Sequence, residues 1–230
     1  MSCIKRLAVV SILLLLTIQA RSQDIPSYRW EPGISIGNQL KEKWHTTLQL
    51  KGRGSANSYN QPPWNGRLLM SEARGYLSYT LFNQSRLQIG FLIRLNNPLE
   101  ENDFFERRLM QQYSFFNIVG KHRISHSFTL EQRMIDKQFI GRVRYKLGDD
   151  FPLQGYALDP KEFFFVANTQ LLFSFNAFSK GLENRITAGL GRQFESGGKL
   201  VVDLESRYGN FLNDTKSHIL QLNTILYINW

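Results

Sequence analysis

In the stretch "WHTTLQLK", Trp44, Thr46, Leu48 and Leu50 alternate with His45, Thr47, Gln49 and Lys51. Residues two apart share a face in a strand and not in a helix, so this pattern belongs to a sheet with one apolar and one polar side. The same period recurs in "GYLSYTL", "LQIGFLIR", "ISHSFTLEQR", "GRVRYKL", "FFFVANTQLLFSF", "ITAGLGRQF", "LVVDLESRYG" and "ILQLNTILYINW". It predicts eleven strands, near 30–40, 44–53, 67–81, 86–96, 105–118, 122–136, 139–150, 162–176, 184–194, 199–208 and 218–230. Several exceed the ~5–6 residues usual in globular sheets. They suit the ~9–11 residues that a tilted strand needs to cross a bilayer. The fold class expected is all-β, an antiparallel up-and-down transmembrane β-barrel of about 10–12 strands.

Charge placement separates this reading from a soluble sandwich. Glu-x-Arg occurs at Glu72/Arg74, Glu106/Arg108, Glu131/Arg133, Glu183/Arg185 and Glu205/Arg207. Each pair lies on the polar side of its strand. For Glu131 the apolar side holds Ile124, Phe128 and Leu130; for Glu205 it holds Leu200, Val202 and Leu204. A charge at mid-bilayer costs about 2–4 kcal/mol, so a barrel in lipid must turn these rows into its lumen. The expected lumenal network is Glu72, Arg74, Arg94, Glu106, Arg108, Glu131, Arg133, Arg142, Arg144, Arg185, Asp203, Glu205 and Arg207. A two-residue turn at Val119-Gly120 would set Arg108 opposite Glu131 and Glu106 opposite Arg133. The next hairpin would set Arg144 opposite Glu131 and Arg142 opposite Arg133.

Connections and aromatic residues point the same way. "KEK", "NQ" and "VG" are tight, whereas "GSANSYNQPPWNG" and "NNPLEEND" are longer and polar, the alternation of short periplasmic turns and long external loops. The proline-bearing connection near 150–161 is a long exception on the short side. Trp44 and Trp230 fall at one end of the strands and Trp30 and Trp64 at the other, as two interfacial girdles would. An odd count of eleven conflicts with the even numbers of bacterial single-chain barrels. It implies either a miscount by one, with 139–162 the place for it, or an unusual seat for the first segment.

The N-terminal region reads as an export signal. Lys5 and Arg6 precede the apolar run Leu7 to Ile18, and "ARS" at 20–22 offers small residues at the cleavage positions, so residues 1–22 are expected to be removed and 23–230 to form one domain. Cys3, the single cysteine, lies in that segment, which leaves no disulfide or thiol chemistry in the mature chain. Of the 230 residues, 208 then remain, with 25 Lys and Arg against 19 Asp and Glu, a net charge of +6. In an exported protein that balance fits anionic lipid or lipopolysaccharide rather than nucleic acid. The last strand sets Leu220, Leu222, Leu226, Ile228 and Trp230 on one face.

"ERRLMQQ", "LEQR" and "GRVRYKL", following an N-terminal "W…L…KW" hairpin, resemble the domain of unknown function 2490 family. The resemblance implies an exported outer-membrane β-barrel of gram-negative type and supplies no catalytic residues. Resemblance to outer-membrane barrels also implies that the terminal aromatic strand addresses the chain to the barrel-assembly machinery.

Little in the sequence speaks for catalysis. His45, His122, His126 and His218 lack metal-ligand spacing with carboxylates. In "SHS", His126 falls on the lipid-facing row and Ser125 and Ser127 on the other, so no dyad forms there. Phosphate-binding glycine loops are absent, and no cofactor is expected. The leading reading is a structural barrel or an occluded narrow pore. The alternatives are an outer-membrane hydrolase of lipid A or phospholipid, and a soluble periplasmic β-sandwich or lipid carrier.

Overall fold

The computed structural model describes residues 27–55, 67–82, 84–212 and 217–229. Among them stand eleven strands and no helix: β1 (Ser27–Lys41), β2 (Trp44–Ser55), β3 (Arg67–Phe82), β4 (Ser85–Asn96), β5 (Phe104–Val119), β6 (His122–Ile135), β7 (Gln138–Pro152), β8 (Phe163–Phe175), β9 (Lys180–Gln193), β10 (Lys199–Gly209) and β11 (Ser217–Asn229). The expected export signal, Trp64 and Trp230 lie outside the described residues.

Neighbouring strands pair antiparallel in chain order, and β1 closes on β11 to complete a barrel. The closing pair is parallel, with Ser27 beside Ile219 and Gly37 beside Asn229. This corrects the expectation of a wholly antiparallel sheet and resolves the parity conflict. The count of eleven stands, with no missing strand in 139–162. When each hairpin reverses direction, the first and last of an odd set run the same way, so only a parallel seam can seal the edge. A parallel ladder is slightly weaker per residue, but an open edge would leave a row of backbone groups without partners.

The turns fix a register two residues away from the expected one. The β5–β6 loop is Gly120-Lys121, because Val119 pairs with His122. Gly120 has φ 61°, and a glycine of positive φ at the first loop position is what a type II′ hairpin requires. Asp136, with φ 51°, opens the β6–β7 loop in the same way. Arg108 therefore lies opposite Arg133, and Glu131 opposite Met110 on β5 and Arg142 on β7. A shift of two preserves which face each side chain takes, so the inside-outside assignment survives the correction.

Polarity is inverted relative to a globular domain. Glu72, Glu106, Arg108, Glu131, Glu205 and Arg207 are buried in the interior, while Phe91, Ile89, Leu130, Leu190 and Leu204 stand exposed on the outer wall. Two aromatic rings bound that wall. Trp44 packs against Tyr79, and Phe151 against Phe165, at the end that carries the 42–43 turn, here called the Trp44 end. Trp30, Phe139 and Phe175 stand exposed at the opposite, Trp30 end. The alternation of short and long connections holds through the first five; the two-residue loop 136–137 then breaks it at the Trp30 end.

Candidate functional site: the ion-paired lumen

The inward ion pairs form a belt in one half of the barrel. Glu31 is near the start of β1, Lys51 and Arg53 near the end of β2, Glu106 and Arg108 near the start of β5, and Glu205 and Arg207 near the end of β10. Because alternate strands run in opposite directions, all of these positions fall toward the Trp30 end. The other half of the lumen mixes neutral side chains, among them Gln112, Ser114, Ser125, Ser127 and Asn168, with the charges of Asp150 and Lys199 and the rings of Phe164 and Tyr227.

Within the belt the ion pairs link into chains. Glu72 accepts from Arg74 at 2.6 Å and also from Arg94. Arg94 reaches on to Glu106 at 3.3 Å, which also holds Arg108 at 2.6 Å and Arg133 at 2.7 Å. Arg108 continues to Glu131 at 3.0 Å, and Glu131 to Arg144 at 2.5 Å. This chain crosses five strands, β3 to β7. A second runs from Glu183 through Arg185, 2.5 Å apart, to Glu205 and Arg207. A third joins Glu31 to Lys51 at 3.0 Å and Arg53 at 2.5 Å.

Sequence reasoning brought most of this set together, but through the wrong geometry. Arg108 and Glu131 pair diagonally, not face to face, because guanidinium side chains span the offset of two residues that separates diagonal neighbours. In four of the five Glu-x-Arg motifs the partners also bond each other along one strand; Glu131/Arg133 is the exception. Two expected members make no ion pair among the described residues. Asp203 accepts from Asn223 Nδ2 at 2.6 Å, and Arg142 donates from Nε to Ser174 Oγ at 2.8 Å. The Glu31 cluster was missed, since its acid and bases lie on different strands and form no Glu-x-Arg motif; the polar parity of Lys51 and Arg53 was the available signal. Lys146 was missed for the same lack of a partner in sequence.

The belt borders a cavity of about 500 Å³ that extends to Phe164, Lys199 and Tyr227 near the Trp44 end. Eleven Lys and Arg line it against five Asp and Glu. Glu106 and Glu131 sit in the wall behind, each almost fully buried. The arrangement can hold anions and impede bulk flow. Among the described residues no group of His, Asp and Glu could hold a metal ion.

Among the described residues the outer wall carries one Ser–His contact. Ser206 Oγ and His218 Nε2 share a hydrogen bond of 3.1 Å, and His218 stacks on Tyr208. His126 is also on the wall, between Phe115 and Tyr145, while Ser125 and Ser127 line the lumen, as their parity requires.

A family model described as "Protein of unknown function (DUF2490)" matches residues 33–218, most of the barrel and nearly all of the belt. The chain belongs to the DUF2490 family. Matching no curated protein sequence, the chain is similar to the siderophore receptor PirA from Pseudomonas aeruginosa, with 13% identity, a TM-score of 0.29 and 76% of this chain covered. It spans 32% of that receptor's length.

Proposed function

We propose that this DUF2490 protein is an outer-membrane β-barrel whose lumen is closed to bulk flow by the Glu/Arg belt. The supporting observation is the inverted polarity: buried ion pairs inside, exposed Phe, Leu and Ile outside, with aromatic residues at both ends of the wall. In water that wall would be an apolar patch far larger than soluble proteins expose. In lipid it is the solvent-matched surface, and closure leaves no strand edge in hydrocarbon. Eleven strands fall between the eight that side chains fill and the 16–18 that leave an aqueous channel, so a belt of linked side chains suffices to block the interior.

In this reading residues 1–22 are the removed export signal, β11 and Trp230 engage the barrel-assembly machinery, and the basic chain meets lipopolysaccharide in the outer leaflet. Fractionation and a heat-modifiability gel test the location: the protein is expected in the outer membrane, migrating differently before and after boiling. Recovery from the soluble periplasm would overturn the proposal and revive the lipid-carrier alternative. The Ser206–His218 contact is the one observation that favours a lipid hydrolase. Among the described residues no carboxylate or amide bonds His218 Nδ1 to orient the ring, so the catalytic reading lacks the third group that nucleophile activation relies on.

A further inference from the structure

We propose that the lumen binds a small multivalent oxyanion, of phosphate or polycarboxylate chemistry, on the wall built by β7, β8 and β9. Arg142, Arg144, Lys146 and Arg185 form its cationic face, and Gln170 supplies amide contacts. The proposal rests on the occluded-lumen reading, since an open channel would hydrate these charges.

The belt's cations are not evenly matched with carboxylates. Lys51 and Arg53 share Glu31, and Arg74 and Arg94 share Glu72. On β7, by contrast, three cations turn inward in succession, Arg142, Arg144 and Lys146, and only Arg144 reaches a carboxylate. Arg142 spends its Nε on Ser174, a neutral acceptor. Lys146 makes no hydrogen bond or ion pair among the described residues, since Asp150, Asp203 and Glu205, the carboxylates that face it across the cavity, stay beyond ion-pair distance, and Arg144 Nε is buried without an acceptor. Arg29, another inward arginine with no carboxylate partner among the described residues, does not line the cavity.

The neighbouring strand explains the imbalance. The inward residues of β8 (Phe164, Val166, Asn168, Gln170, Leu172 and Ser174) carry no charge. Lys146 pairs in register with Gln170, and Gln170 with Arg185, so two cations flank an amide across three strands. All three side chains line the cavity. Half-buried cations confined in a narrow lumen without a carboxylate partner favour an added anion, and guanidinium groups present a fork that matches carboxylate and phosphate oxygens. The cavity's volume lies within the range of small-molecule sites, about 300–1,000 Å³.

The test is calorimetric titration of the purified full chain in detergent with inorganic pyrophosphate and, separately, citrate, at low ionic strength. Saturable binding of at least one is expected, weakening as salt is raised. Arg142→Gln and Lys146→Gln should each weaken it by about tenfold, the value of one charge-assisted contact, and Lys146→Glu should abolish it. Heat-modifiability confirms that each variant is folded; should one fail to fold, the other decides. Saturation by pyrophosphate alone assigns phosphate chemistry, and by citrate alone carboxylate chemistry. No saturable binding of either probe, or affinity unchanged in folded Arg142→Gln and Lys146→Gln, overturns the site. Planar-bilayer recordings on the same preparation keep the two readings apart: a closed lumen with no oxyanion binding sinks the site and leaves the occlusion reading standing.

Discussion

Glu131 bonds Arg144 at 2.5 Å and not Arg142, although Arg142 is the residue directly across from it. Diagonal reach decides the pairing here, and Arg142 turns away to Ser174. The two arginines should therefore respond differently to loss of Glu131. Removing one partner of a buried pair costs about 3–5 kcal/mol, because the other charge stays buried. Glu131→Gln with Arg144→Gln should show a coupling above about 1 kcal/mol in a double-mutant cycle on urea unfolding in detergent. Glu131→Gln with Arg142→Gln should show distinctly less. Equal couplings would place the energy in general lumen electrostatics and not in this contact.

Conduction follows from the chain of pairs. Glu106, Arg108 and Glu131 form its most buried link. The wild-type barrel is expected to give no stable openings of nanosiemens scale in planar bilayers. Replacing these three residues with alanine removes long side chains from the belt and should raise conductance in those variant barrels that still shift on a heat-modifiability gel. A wild type that opens as widely as the triple variant would contradict a belt that closes the lumen.

The strands and their faces were legible, and with them the side on which the belt's charges lie, because a two-residue period and a solvent preference act at every position along the chain. Register was not, since it depends on which residue of each turn adopts positive φ; Gly120 and Asp136 made that choice locally, and moving a loop by one residue shifts the pairing by two. The seam was hidden for another reason. Pairing β1 with β11 joins residues about 190 apart, and no local pattern in either strand distinguishes a parallel neighbour from an antiparallel one. The shortfall of carboxylates beside Lys146 depends on what β8 does not carry, and it became visible only when the two strands were placed side by side.

Close packing inside the Trp44-end half of the lumen gives a third expectation. Phe164 is 1% exposed and lies over Gly191, where an added Cβ would come within 2.1 Å of the ring. Gly191→Ala should force the ring out of place and destabilise the barrel by about 1–3 kcal/mol, the usual cost of overpacking. Adding Phe164→Leu should recover part of that loss. If Gly191→Ala alone leaves the urea midpoint unchanged, the ring does not occupy that space.

Gln111 and Gln132 supply the last test, because they place a polar pair on the outer wall. Their neighbours along each strand, Leu109, Tyr113, Leu130 and Met134, are exposed and face outward, and the two amides lie diagonally between them. Each donates its Nε2 to the other's Oε1 at 3.1 Å, so each amide has a donor and an acceptor satisfied without solvent. Gln111→Leu alone leaves Gln132 unsatisfied, which should cost about 1–3 kcal/mol. Gln111→Leu with Gln132→Leu removes both polar groups and exchanges them for the side chain that lipid favours, so its stability should return to wild type or exceed it. The measurement is urea unfolding in detergent micelles and again in lipid vesicles, with the recovery larger in vesicles. In a soluble barrel the order would reverse, since water would hydrate the lone glutamine and two new exposed leucines would promote aggregation. A single variant as stable as wild type in vesicles would show that this part of the wall does not face hydrocarbon.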